Sequence, residues 1–371
     1  MKQYKVFAIN PGSTSTKVAL FEGETKLFSA NINHDSAKLE EYNCISDQLT
    51  YRKETILKVL EENNISLEGV DAFVGRGGGL LSISGGTYEI DSKLLNHAKR
   101  GANGVSHPAQ LGSQLAYEFC IRYEGRGFVV NPPDVDEYDE IARVTGIKDI
   151  VRTSHIHALN QKETAIRHAD KIGKAYTDCN FIICHIGGGI SVAAHKKGRM
   201  VDGTDIVEGE GPMAPTRAGA IPAAPLIRLC YSGKYSEKEM LDKCTKNGGF
   251  MDLIGTADAL EISNKALAGD KYARLIWDAM IYQINKYIGA MATVLQGDVD
   301  GILIGGGMVF NQDLVTQIKK SCSFIAPVTA YPGEFEMEAM ASGAIRILNG
   351  LEKVKKYTGV PTWSGFNNYL V

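Results

Sequence analysis

Val70-Asp71-Ala72-Phe73-Val74-Gly75-Arg76-Gly77-Gly78-Gly79 and, roughly 230 positions later, Val299-Asp300-Gly301-Ile302-Leu303-Ile304-Gly305-Gly306-Gly307 carry one pattern twice. Each is a short apolar run that stops at glycines. Such a run suits a buried strand whose C-terminal end must let something approach the backbone. A second echo lies upstream of each. Val6 to Asn10, the polar turn Pro11-Gly12-Ser13-Thr14-Ser15-Thr16, and Lys17 to Phe21 read as strand, tight turn, strand. Phe181 to His185, Ile186-Gly187-Gly188-Gly189, and Ile190 to His195 read the same way. In both halves the hairpin comes first and the glycine-ended strand later. One fold unit used twice, with a glycine-lined cleft between the copies, accounts for that order.

The bulk numbers agree with two domains. A chain of 371 residues is long for one core. Net charge is −3, which leaves no basic footprint for nucleic acid. No apolar run approaches the ~18 residues that span a bilayer, and the apolar run before Asn10-Pro11 is too short for a signal-peptide core. Seven cysteines, an odd count without CxxC spacing, read as reduced thiols in a cytoplasmic protein. Forty glycines exceed the ordinary share of roughly 7%; because they cluster at strand ends, they read as ligand-contact points.

Along the chain, strands are expected at 4–10, 16–22 and 26–32, a helix at 47–63, the Val70 strand, a helix at 107–123 with Pro108 in its first turn, and a short strand at Val129-Val130. A helix at 155–172 follows. The second half repeats the theme with strands at 181–186, 190–195 and 199–202. Ser236-Glu237-Lys238-Glu239 is a capping box. One long helix runs through Tyr272, Leu275, Ile276, Ala279, Met280, Gln283, Tyr287, Met291 and Leu295. The Ile302 strand, a helix at 311–321, a strand at Phe324 to Ala326 and a helix at 336–350 complete the order. The class is α/β, and βββαβα seen twice is the duplicated RNase-H-like arrangement (βββαβαβα). The expected domains are 1–150 with 340–371, and 151–339, the second carrying the nucleotide site.

Neither a Walker A loop nor a Rossmann Gly-x-Gly-x-x-Gly is present. A nucleotide phosphate would have to sit on hairpin turns instead. Asn10 to Lys17 qualifies: hydroxyl residues and backbone N–H groups in a tight turn make an anion nest, with Lys17 as a point charge; an ordinary polar turn is the alternative. His185-Ile186-Gly187-Gly188-Gly189 is the second such turn. Arg76 interrupts one glycine cluster, and Arg217 lies in the Gly/Pro-rich segment 209–219. A guanidinium there meets an anion or pairs with a carboxylate. His107, His155, His157 and His185 sit in polar or glycine-rich settings, His155 being the least remarkable. No HExxH or Cys/His spacing marks a zinc site.

Five motifs together carry a resemblance: Ile9 to Lys17, Val74-Gly75-Arg76-Gly77-Gly78, His157-Ala158-Leu159-Asn160-Gln161-Lys162, His185 to Gly189, and Gly209-Glu210-Gly211-Pro212. Tyr331-Pro332-Gly333-Glu334 with Glu336-Met337 adds to them. From the N-terminus to about residue 350 the chain resembles the butyrate-kinase branch of the acetate kinase family, within the sugar kinase, heat-shock chaperone and actin superfamily. The resemblance implies ATP plus a short-chain carboxylate giving an acyl phosphate plus ADP, reversibly, with Mg²⁺. It also implies a homodimer or higher homo-oligomer. By motif, Arg76 and Arg217 would bracket substrate and transferring phosphoryl group, and His157 would hydrogen-bond the phosphoryl oxygens. His107 would lie on the substrate side. Asn10, Ser13 and Ser15 would contact phosphate or help hold Mg²⁺, with Lys17 supporting the turn. His185 and Gly187, Gly188 and Gly189 would line the phosphate path, and Gly305, Gly306 and Gly307 would pass the adenosine. Glu336 would lie near Mg²⁺.

One departure stands out. The family's Val-Asp-Pro is here Val130-Asn131-Pro132, so a charge is missing that Asp134 or Asp136 could replace as a metal-side carboxylate. A kinase for propionate, a branched-chain or an aromatic acid is the alternative within the class, and a non-catalytic nucleotide-binding paralogue the alternative outside it. The chemistry needs no general base, because a carboxylate with a pKa near 4 is already ionised at neutral pH. Charge neutralisation and alignment must do most of the work.

Overall fold

The computed structural model describes residues 2–366. The chain divides into two compact units, Met1–Asp136 with Phe335–Val371, and Glu137–Glu334. The change of unit falls after Asp136 rather than at 150. Glu137 already belongs to the second unit, where its carboxylate accepts from Met200 N at 2.9 Å and pairs with Lys162 at 2.7 Å. The returning segment starts at Phe335 rather than 340, and the last five residues of the expected 340–371 lie outside the described residues.

The first unit holds β1 (Lys5–Pro11), β2 (Ser15–Glu22), β3 (Thr25–Asn33), β4 (Ala72–Gly75), β5 (Thr87–Glu89) and β6 (Arg126–Val130), in the order β3-β2-β1-β4-β6-β5. The second holds β7 (Asn180–Ile186), β8 (Ile190–Lys196), β9 (Arg199–Gly203), β10 (Gly301–Gly306) and β11 (Val328–Pro332), in the order β11-β10-β7-β8-β9. The two sheets share one plan. In each, the first strand pairs antiparallel with the second and parallel with the strand that ends in glycines. A further parallel strand, β6 or β11, lies beyond that one. β5 is an antiparallel addition at the edge of the first sheet.

The period-two rule explains how β7 fills two cores at once. Ile182, Cys184 and Ile186 face a cluster with Ile302, Ile304 and the helix Lys271–Val294. Phe181 and Ile183 face Leu303 and the small residues Ala165 and Ala169 of the helix Ala158–Lys171. In the long helix the buried stripe is Ala273, Ile276, Trp277, Met280, Ile281, Ile284, Ile288 and Met291. It is rotated from the expected one, since Tyr272 and Leu275 are 50% and 61% exposed. Ser236 caps its helix with the expected reciprocal bonds to Glu239.

The expected strand at Phe324 to Ala326 is not formed. The helix Gln312–Cys322 runs up to it, Phe324 is 85% exposed, and the strand that pairs with β10 is Val328–Pro332. Elements without an apolar period were missed, among them β5 and the helix Ser92–Arg100. The helix Ser92–Arg100 is instead marked by its Asp91 cap and its C-terminal Gly101. Among the described residues no helix is long and apolar enough to cross a membrane. All seven cysteines are free.

In the first unit Phe7, Phe73 and Phe119 lock β1, β4 and the helix Leu111–Tyr123 together, with ring centroids 5.7–6.3 Å apart. The helix comes so close to the end of β4 that a Cβ on Gly75 would lie 2.1 Å from Gly112 O. Gly75 is therefore a packing glycine and not a ligand contact, contrary to the reading of all such clusters as ligand-facing. The close approach fixes where Arg76, the next residue, leaves the strand.

Candidate functional site

In both units the candidate residues sit at the C-terminal ends of two neighbouring parallel strands, where α/β sheets place ligands. In the first unit these are Asn10 at the end of β1 and Arg76 just past β4, whose backbone N–H donates to Ile9 O at 3.0 Å. Asn10 Nδ2 donates to Glu336 Oε2 at 2.8 Å. Arg76 Nε lies 4.0 Å from Glu336 Oε1. Glu336 opens the helix Glu336–Leu348, which returns to pack on β1, β4 and β6. Arg76 is buried, and among the described residues its guanidinium adds to the Glu336 contact a weak 3.5 Å hydrogen bond to the carbonyl of Asn131. Desolvation pulls its pKa down, with Glu336 and Asp134 opposing. A buried guanidinium so thinly paired is a ready anion receptor.

Asn131 has φ +38 and its side chain is used locally. Oδ1 accepts from Gly86 N at 2.7 Å, while its own N–H donates to Gly86 O at 3.0 Å. Asn tolerates this left-handed backbone, so the departure at 131 retains the loop. Asp134 Oδ1 accepts from Leu80 N and from Asn103 Nδ2, and Oδ2 is buried without a partner among the described residues. Burial raises the Asp134 carboxyl to about 7. Such a group is a poor cation ligand near neutral pH. Asp136 is also buried; its backbone N–H donates to Ile83 O at 2.8 Å and its carbonyl accepts from Thr362 Oγ1 at 3.1 Å.

The described residues contain no cluster of three or more acidic, histidine or cysteine side chains fit to cage a metal. Mg²⁺ needs no such cage, since it is typically held by one or two carboxylates together with substrate phosphates and water. Glu336 fits that mode. Asn10 turns its nitrogen to Glu336, so its Oδ1 is the oxygen left for a cation.

The turn after β1 is held by a residue the sequence reading missed. Arg52, fully buried on the helix Leu49–Glu62, donates to the carbonyls of Gly12, Ser13 and Ser15 and to Thr16 Oγ1 at 3.0–3.2 Å, and Nε donates to Gln48. With the carbonyls drawn inward, the exposed Ser13 and Thr14 present the outer side of the turn. Lys17, the cross-strand partner of Asn10, is exposed, and the positive group set against the turn is Arg52. The missed signal was faint: a basic residue on a helix among other basic residues. His107 caps the short helix Pro108–Gln110, its Nδ1 accepting from Ala109 N at 3.1 Å. Desolvation, then Arg76 and Arg52, hold its pKa below the ordinary value, so it stays neutral.

In the second unit β7 ends at His185 and Ile186, and β10 lays Gly305 directly beside His185. The rings of His157 and His185 stack with centroids 3.8 Å apart and planes at 19°. His157 stands at the start of the helix Ala158–Lys171, with Nδ1 2.8 Å from Ser191 Oγ. Asn160 Nδ2 donates to His185 Nδ1 at 2.9 Å, and His185 Nε2 lies 3.5 Å from Glu334 Oε1. Arg217 lies over the glycine turn: a Cβ on Gly189 would be 2.0 Å from its Nη1 and 3.4 Å from His157 Cε1. Desolvation lowers the Arg217 pKa and Asp205 opposes it. Gly188 and Gly307 face open space.

Asp205 and His155 were not anticipated. Asp205 is fully buried and accepts from Thr153 Oγ1, His155 Nδ1, Val207 N and Glu208 N at 2.7–2.9 Å. Burial works against its charge, but the His155 bond and the other donors win and keep its pKa below the usual range. His155, taken from sequence as unremarkable and 31% exposed, is thus an oriented member of the Arg217 neighbourhood.

Comparison with known proteins decides the family. Butyrate kinase 2 of Clostridium acetobutylicum is 46% identical over 355 residues, covering 96% of this chain and 99% of that one. The chain belongs to the acetokinase family. The family's model matches residues 140–324. Butyrate kinase 1 of the same organism is 42% identical and covers 95% of this chain and 99% of its own; a probable butyrate kinase of Clostridium botulinum is 43% identical with the same coverage. Among solved structures, acetate kinase of Porphyromonas gingivalis superposes with a TM-score of 0.75 at 21% identity, over 93% of this chain and all of that one. A propionate kinase of Francisella tularensis gives 0.68 at 17%, over 91% and 98%. The duplicated fold read from the two echoes is the fold of this family.

Proposed function

We propose that this chain transfers the γ-phosphoryl group of ATP to the carboxylate of butyrate or a similar short-chain acid, giving the acyl phosphate and ADP, and runs in reverse. The near-full-length likeness to the butyrate kinases carries the reading. A carboxylate oxygen bonds to the γ-phosphorus while the bond from that phosphorus to the β,γ-bridging oxygen breaks, and no proton is moved. Bringing an anion onto a polyanion is the difficulty, so neutralising charge is the catalytic task.

The residues fit that task without a base. Arg76, buried and thinly paired, would take the acid's carboxylate. Arg217, lying over Gly189, would neutralise the transferring phosphoryl, and His157 would donate a hydrogen bond to it. The Ser13–Ser15 turn would meet phosphate through its outer side, with Arg52 behind it. Gly187–Gly189 and Gly305–Gly307 would give the nucleotide close backbone approach. Mg²⁺, held by Glu336 and Asn10 Oδ1 together with the phosphates, would supply further charge neutralisation. Asn131 favours the non-catalytic alternative only through its lost charge, and its bonds to Gly86 give that residue a role in the loop instead.

We place the enzyme in the cytoplasm, in keeping with its seven free thiols. We also propose self-association. Exposed Ile227, Tyr231, Leu260, Leu267, Leu275 and Tyr282 on the second unit support it; light scattering that returns a monomer mass would refute it. The test of the function is ³¹P NMR of the protein with Mg²⁺, ATP and butyrate. Growth of an acyl phosphate signal with ADP supports the reading. Growth of ADP and inorganic phosphate alone, or unchanged ATP, overturns it. Excess chelator should abolish the product.

A further inference from the structure

Behind His157 runs a chain of four buried or half-buried side chains, all within the second unit. Tyr176 Oη is 2.7 Å from His195 Nδ1, and His195 Nε2 is 2.9 Å from Gln161 Oε1. Gln161 Nε2 is 2.8 Å from Ser191 Oγ, and Ser191 Oγ is 2.8 Å from His157 Nδ1. Gln161, Ser191 and His195 are fully buried.

The directions of the bonds from Tyr176 to Ser191 follow from valence, and the chain continues to His157. The amide end of Gln161 that meets Ser191 Oγ also meets the backbone carbonyl of Ser191 at 3.5 Å. A carbonyl has no proton to give, so that end is the NH₂ group. The other end is therefore Oε1, and His195 Nε2 must carry the hydrogen that it accepts. Desolvation, helped by Lys162, keeps His195 neutral, so its Nδ1 is bare and accepts from the Tyr176 hydroxyl. Burial raises the Tyr176 pKa, so that hydroxyl keeps its proton. Ser191 Oγ accepts from Gln161 and keeps one hydrogen and one further lone pair; continuing the chain in the same sense gives that hydrogen to its other neighbour, His157 Nδ1, in the neutral form of the ring. A neutral imidazole with a bare Nδ1 carries its hydrogen on Nε2.

We propose that Tyr176, His195, Gln161 and Ser191 form a one-way hydrogen-bond chain that fixes His157 as the Nε2–H tautomer. They are positioning residues, because they act through His157 and not on the substrate. The proposal deepens the assignment of His157 to the phosphoryl group and rests on that assignment for its catalytic meaning. An Nε2–H donates to an anionic oxygen, whereas the opposite tautomer would turn a lone pair toward it. The chain also explains why a glutamine stands in the first turn of the helix Ala158–Lys171 on its buried side.

The test is ¹⁵N NMR of the full chain with labelled histidine, the His157 signals being identified by their loss in His157→Asn. The wild-type protein without ligand should show a pyrrole-type Nε2 and a pyridine-type Nδ1. In Gln161→Glu, at a pH where the new carboxylate is ionised by its own ¹³C shift, both oxygens of that carboxylate accept. Ser191 then donates to the introduced carboxylate, and His157 must turn over to Nδ1–H to satisfy Ser191 Oγ. That exchange should lower kcat about a hundredfold, with little change in KM for either substrate. Should Gln161→Glu not fold, Ser191→Ala removes the donor to Nδ1 and should let the two tautomers mix. A wild-type His157 protonated on Nδ1 overturns the proposal, as does a tautomer indifferent to both variants. The spectra need no turnover, so a protein with the predicted tautomer and no kinase activity would refute the function and leave the chain standing.

Discussion

Replacing Gly189 by alanine tests the central contact of the second unit in isolation. The new Cβ would lie 2.0 Å from Arg217 Nη1, where ordinary contact begins at 3.4 Å. The guanidinium must therefore retreat by at least 3.4 − 2.0 = 1.4 Å. Nothing else on the turn is pushed, since His157 Cε1 already stands at 3.4 Å and the Gly189 backbone is not in the left-handed region. A displacement of about 1 Å at a positioning group costs on the order of 10²-fold in rate, or about 2.7 kcal/mol of transition-state stabilisation. Stability should not follow, because the displaced atoms are the free end of a long side chain. Removing a glycine from the unfolded ensemble offsets small strain by ~0.5 kcal/mol. The assay is initial-rate acyl phosphate formation beside urea unfolding. We expect kcat down about a hundredfold and an unfolding midpoint within error of wild type. Full kcat in Gly189→Ala, with Arg217 displaced in a crystal structure of the variant, would refute the placing of Arg217 on the reacting phosphoryl. A parallel loss of several kcal/mol of stability would show the turn to be structural instead.

Other perturbations separate structure from chemistry. Arg52→Lys leaves the carbonyls of Gly12, Ser13 and Ser15 short of donors in a buried site, so urea unfolding should show a loss of at least about 3 kcal/mol. Nucleotide KM should rise with it. Arg76→Ala and Arg217→Ala should each lower kcat by about 10³-fold with far-UV circular dichroism unchanged; near-normal turnover in both would remove the site. His34 is pushed down to about 4 by burial, with Arg52 adding to it, and its Nε2 lies 2.8 Å from Thr16 Oγ1. The unfolded chain then takes up a proton near pH 6.5 that the folded chain refuses. The stability of wild type over His34→Gln should therefore be full above pH 6.5 and fall as pH drops toward 4, by roughly 3 kcal/mol. A flat difference across that window would contradict the buried neutral assignment.

The duplicated sheet was legible because its central strands are apolar without interruption and end at glycines, and because the same order recurs. Elements held by caps and edges were not, since β5 and the helix Ser92–Arg100 carry no apolar period of their own. The Phe324 strand failed for a related reason: three apolar residues do not say whether they end a helix or begin a strand, and only pairing with β10 selects Val328 onward. Among candidate site residues, those in glycine motifs could be picked out as candidates from the sequence. Arg52, Asp205 and Gln161 could not. Each acts through bonds to residues distant in sequence, and nothing in its local spacing reports a buried partner. His155 was discounted because its partner Asp205 lies 50 residues on. Gly75 was misread because a glycine that admits a helix and one that admits a ligand look alike in sequence.

The most direct test of the account is Mg·ATP-dependent acyl hydroxamate formation with acetate, propionate, butyrate, isobutyrate and phenylacetate in parallel. The account predicts robust product with butyrate and its near neighbours, falling away toward acetate and phenylacetate. No hydroxamate from any of the five acids, in a preparation that binds ATP, would contradict it.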